Sequence, residues 1–100
     1  MEKFKAHYSL QEIQTIVAHD GSQSFTFAAQ QGAQGMGLSR TEALGVVLAL
    51  TNTMVYKSMT THSDNKVWQD VYHSPCPNGK IAYIKLTMRD GAVVIQFKEK

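Results

Sequence analysis

Hydrophobic positions change period halfway along the chain. Leu10, Ile13, Ile16 and Val17 recur at steps of three and four, the spacing of one helical face. Ser9 precedes this run and Glu12 stands three residues after it, which reads as a capping box; His19, Asp20 and Gly21 end the helix. A second helical segment, SFTFAAQQGAQ (24–34), stops in Gly32, Gly35 and Gly37, the residue type of a helix C-cap. Another capping box, Ser39 with Glu42, opens a third helix, and Leu44, Val47, Leu48 and Ala49 are its expected buried positions.

Beyond residue 53 the period becomes two. MVYKSM (54–59), KVWQDVY (66–72), KIAYIKLTM (80–88) and AVVIQFK (92–98) are the expected strands. SPCPNG (74–79) is a turn, and Asp90-Gly91 is a hairpin signal. Helices first and strands second predict a single α+β domain over 1–100, with the helices covering one face of an antiparallel sheet.

Alternation then sorts the strand residues. Ala82, Ile84, Leu86 and Met88 fall on one side, as do Val93, Ile95 and Phe97; these sides should meet the helices. Tyr83, Lys85, Gln96 and Lys98 are left on an open surface. Lys57 shares a side with Val55 and Met59, whereas Gln69 shares one with Val67 and Val71, opposite Trp68 and Tyr72. With Trp68 in the core, Gln69 joins Lys57, Tyr83 and Lys98 on the open face.

Composition narrows the class. With 43% hydrophobic and 18% charged residues the chain suits a folded domain rather than a disordered tail. No apolar run approaches the roughly 18 residues of a membrane span. MEKFKAHYSL lacks the apolar core of a signal peptide, and the single cysteine, Cys76, allows no intrachain disulfide. A cytoplasmic location is the expectation. Charge is uneven: residues 1–53 carry three bases and four acids, residues 54–100 seven bases and four acids. A basic half permits an anionic partner such as nucleic acid.

Several motifs point nowhere. His62, His73 and Cys76 are spaced H-x10-H-x2-C, unlike a zinc ligand set. Cys76 between two prolines lacks the orienting groups of a reactive thiol. GAQGMG is not a dinucleotide fingerprint. GAQG fits the G-x-x-G of a KH loop, an alternative that lacks an internal basic residue.

A lysine-and-tyrosine sheet face suits RNA, although a merely solvated face has the same composition. Lysines attract phosphates, and aromatic rings stack on unpaired bases. RNA carries its own nucleophile, the 2′-hydroxyl. A protein cleaves it by orienting that hydroxyl, taking its proton, stabilising the phosphorane and protonating the leaving oxygen. Lysine and tyrosine, with free pKa values near 10, suit charge stabilisation and proton donation; a general base is the missing role.

YKSMTTHSDNKVWQDVY (56–72), the closing FKEK (97–100) and the opening MEK closely resemble the motility quorum-sensing regulator (MqsR) toxins. The likeness spans the chain and is strongest in its C-terminal half. It implies a RelE-like fold and a ribosome-independent, metal-independent endoribonuclease of a toxin–antitoxin pair. Such an enzyme cuts mRNA at GC-containing triplets, notably GCU, and needs no cofactor. Residue by residue, the resemblance makes Lys57, Gln69 and Tyr83 catalytic. Tyr56, Met59 and Lys98 follow as flanking contacts, with His73 and Lys85 beside them as RNA-binding candidates. The implied partner is a zinc-containing helix-turn-helix antitoxin, and promoter DNA is met only through that complex. Two positions depart from the family pattern: His73 stands where an arginine is expected, and Asp90 where a hairpin histidine is expected. These departures keep alive a non-catalytic RNA-binding module, or a co-repressor acting with its antitoxin.

Overall fold

A computed structural model describes residues 1–100. Three helices pack on one face of a five-stranded antiparallel sheet, as the change of period requires. Helix α1 spans Leu10–Asp20, α2 Phe27–Gly35 and α3 Arg40–Leu48. The strands are β1 (Glu2–Lys3), β2 (Val55–Thr60), β3 (Trp68–Pro75), β4 (Ile81–Arg89) and β5 (Ala92–Glu99), adjacent in that order.

Local signals set most of the helix ends. Ser9 Oγ accepts the Glu12 N–H, and Gly21, at φ 65°, ends α1. The full reciprocal capping box forms at Ser39 and Glu42. Helix α2 starts later than its composition suggests, because Thr26 rather than Ser24 caps it. Its end is a Schellman motif: the Leu38 N–H donates to Ala33 O and the Gly37 N–H to Gln34 O, with Gly37 at φ 83°. GAQG is therefore the last turn of a helix rather than a KH-type loop. Gly32 has a different purpose. A Cβ there would lie 2.1 Å from Phe97 O, so only glycine lets α2 approach β5 this closely.

The core lies between the helices and the sheet. Ile13, Val17, Val47, Tyr72, Ile84, Leu86 and Ile95 are fully buried, which confirms the inward sides of β4 and β5. In α3 the inward positions are Ala43, Val46 and Val47; Leu48 and Ala49 are exposed, because α3 turns a different stripe inward from the one its leucines suggest. Tyr72 carries a buried hydroxyl with no hydrogen-bond partner, and burial together with the Asp70 charge pushes its pKa up to about 12. Asp90 and Gly91 sit at φ 53° and 77°, the positive values a type I′ hairpin needs, so Asp90 is fixed by turn geometry.

Two further features depart from the sequence reading. Trp68 is not core: it is half-buried at the start of the central strand, under the stacked His7 ring and 4.4 Å from Lys3 Nζ. The residues that lie against it come from β1 and the segment after it. The His7 and Tyr8 N–H groups donate to the buried Asp70 carboxylate at 2.9–3.0 Å, and Tyr8 Oη donates to Trp68 O. The second departure is a β-bulge in β2. Val55 pairs with Tyr72, but Lys57 pairs with Val71, so Tyr56 is the extra residue.

Candidate active site

The bulge decides which side chains face away from the helices. Strict alternation puts Val55 beside Lys57 and Tyr56 opposite them. Instead Val55 packs against the core while Lys57 turns to the uncovered face, and Tyr56 reaches that same face to stack on His73.

Three rows of residues then cross the sheet. Glu2, Met59 and Gln69 form the first through their strand pairings. Lys57, Val71, Lys85 and Gln96 form the second. His73, Tyr83 and Lys98 form the third, with Tyr56 joined to it by stacking. Val71 is fully buried within the second row, so the flanking lysines lie along its surface with their ammonium groups outward. Paired residues of antiparallel strands share a face. That rule brings Lys57, Gln69, Tyr83, Met59, His73, Lys85 and Lys98 to one surface; of these, alternation in the sequence groups Lys57, Gln69, Tyr83, Lys85 and Lys98 there.

The third row is a short aromatic ladder. Tyr56 and His73 stack with ring centroids 4.6 Å apart at 21°, and His73 lies 5.6 Å from Tyr83. Burial, with Lys100 nearby, lowers the His73 pKa, so the ring is neutral near pH 7 and free to accept a proton.

Cations surround the ladder. Lys57 Nζ stands 5.5 Å from the Tyr56 ring; Lys98 and Lys85 Nζ stand 5.1 and 5.9 Å from that of Tyr83. Lys85 is pulled down in pKa by burial and then by the neighbouring Lys98 and Lys57 charges. Lys57 moves the opposite way. It donates to Glu2 Oε2 at 3.0 Å, and that hydrogen bond holds the ammonium more firmly charged. Glu2 is the residue of this face that the sequence did not reveal. A two-residue strand has no period to detect, and only its pairing with Met59 places it.

Other candidate groups lie elsewhere. Cys76 is buried on the core side, and burial raises its thiol pKa, which keeps it unreactive. His62, His73 and Cys76 do not converge, and no three His, Cys, Asp or Glu side chains cluster as a metal-ligand set.

Fold and face together describe a small α+β protein with one chemically equipped surface, suited by its lysines and stacked rings to a polyanionic strand. Comparison with known proteins gives the class its family. The family model for the motility quorum-sensing regulator, toxin of MqsA, matches residues 5–99. The mRNA interferase toxin MqsR of Escherichia coli (strain K12) is 35% identical over 100 residues, covering the whole of both chains. The chain belongs to the MqsR toxin family.

Proposed function

We propose that this protein is the toxin of a bacterial toxin–antitoxin pair and an endoribonuclease that cuts mRNA by means of the RNA's own 2′-hydroxyl. The observation that supports this most is the meeting of Lys57, Gln69, His73 and Tyr83 on one uncovered face, in a chain that matches an mRNA interferase along its full length. The 2′-oxygen attacks the adjacent phosphorus and the bond to the 5′-oxygen breaks. The fragments carry a 2′,3′-cyclic phosphate and a 5′-hydroxyl.

Each group has a role that fits its environment. His73, kept neutral, takes the 2′-hydroxyl proton. Lys57, kept charged, stabilises the phosphorane. The Tyr83 hydroxyl donates to the departing 5′-oxygen. Gln69, neutral, orients the hydroxyl or a phosphate oxygen. Tyr56 and Met59 contact neighbouring bases, while Lys85 and Lys98 hold backbone phosphates. The reaction so written uses no metal and no ribosome.

The same reading takes GC-containing triplets such as GCU as the cleavage sites, in cytoplasmic mRNA. The partner is a zinc-containing helix-turn-helix antitoxin, and promoter DNA is bound only as the toxin–antitoxin complex. No helix is long and apolar enough to cross a membrane.

The test is incubation of purified protein with end-labelled RNA, with and without EDTA. Cleavage that survives EDTA and yields cyclic-phosphate ends is expected. Replacing the ribose at the cleaved position with deoxyribose should abolish it. Binding of RNA without cleavage would instead leave a non-catalytic module or co-repressor.

A further inference from the structure

The open face does not end at the ladder. Where it meets the start of α2 there is a groove of about 400 Å³, lined by Thr26, Tyr83, Lys85, Gln96 and Lys98 among others. That volume lies within the range of small-ligand pockets. We propose that this groove binds one nucleotide of the RNA strand beside the cleaved bond, and that Gln96 reads its base. The proposal rests on the endoribonuclease reading and names a part of the substrate that the ladder alone does not hold.

Charge is the first argument. The carboxylate partners of lysine on this molecule are Glu2, for Lys57, and Glu99, for Lys80; Lys85 and Lys98 have none. They stand on either strand of the β4–β5 pair with the Tyr83 ring within 6 Å of both ammonium groups. Lys85 is driven down by burial and then by the nearby Lys98 and Lys57 charges. An incoming phosphate relieves that repulsion.

Chemistry at the end of the row is the second. Gln96 pairs across the strands with Lys85, yet it is exposed and its amide makes no hydrogen bond within the protein. A primary amide offers a donor and an acceptor side by side, the pattern that matches a base edge; a lysine carries no such information. The register puts Gln96 three strand spacings from Lys57, roughly 14 Å. It therefore meets a nucleotide near the reacting phosphate rather than the phosphate itself.

Rigidity is the third. The wall of the groove is fastened to β5 on both sides of Gln96: the Thr26 N–H donates to Ile95 O at 3.1 Å, and Gly32 packs against Phe97 O. A preformed wall lowers the ordering cost of binding.

The experiment measures single-turnover cleavage of short RNAs in which each position flanking the cleaved bond is varied through all four bases. Gln96→Ala should reduce base discrimination at one position, by about tenfold, and leave it unchanged elsewhere. A thermal melt equal to the parent's shows that the fold is intact. Unchanged discrimination at every position overturns the proposal, and so does a uniform loss across all sequences. In parallel, fluorescence anisotropy with non-cleavable deoxy-substituted oligonucleotides reads the groove without the reaction. If the parent binds with a base preference that Gln96→Ala abolishes, the groove stands even if cleavage is absent. If the parent shows no such preference there, the groove fails whatever the enzyme does.

Discussion

Lys57 Nζ lies 3.0 Å from Glu2 Oε2, across the seam between β1 and β2. The carboxylate keeps the ammonium charged, and under the proposed function it would compete with an RNA phosphate for Lys57. Glu2→Gln keeps the shape and removes the competing charge. We expect RNA to bind several-fold more tightly to Glu2→Gln at low salt, with the difference shrinking as salt rises. Equilibrium binding at two ionic strengths decides it. Weaker binding in the variant would make Glu2 a residue that positions Lys57 rather than one that competes with substrate.

His73 should set the lower limb of the pH profile. Its folded pKa is below the ordinary 6.5, because burial and Lys100 disfavour the protonated ring. A base must be neutral to act, so the cleavage rate should rise with pH through a value below 6.5 and be level by neutrality. His73→Gln should lose most of the rate. Full activity in His73→Arg would exclude the base role and leave the Glu2 carboxylate as the group to examine.

The lysines should divide binding from chemistry. Lys57→Ala should lower the chemical step by about 10²–10³, with a smaller effect on RNA affinity. Lys85→Ala and Lys98→Ala should instead weaken binding for all sequences and reduce the salt slope by about one unit each. Circular dichroism should report an unchanged fold for all three, since these side chains lie outside the core. Parental single-turnover rates in folded Lys57→Ala would sink the catalytic assignment.

Asp70 should couple stability to the site from the opposite face. It is fully buried and accepts the His7 and Tyr8 N–H groups, which fastens the segment that follows β1. Asp70→Ala orphans both donors and should cost about 2–3 kcal/mol, read by denaturant unfolding. Loosening this segment should also release Glu2, so RNA binding by the folded variant should match that of Glu2→Gln. Unaltered binding would show that β1 holds its place without Asp70.

The sequence by itself determined the layers. A period that shifts from helical to alternating spacing is a consequence of which side chains must leave water. That pattern, with Ser9, Ser39, Gly21 and the Asp90-Gly91 turn, was enough for three helices and four of the strands. Alternation also placed Tyr83, Lys85, Gln96 and Lys98 outward, because β4 and β5 pair without interruption. Tertiary structure decided the rest. The bulge at Tyr56 breaks the period of two, so no alternation rule could place Tyr56, His73 and Lys57 on one face. Trp68 has the size of a core residue, yet it is half-buried, with His7 stacked on it and Lys3 over its ring. Glu2 reaches Lys57 across 55 residues of chain. A contact so distant leaves no local trace, because it depends on the folding of everything between the two residues.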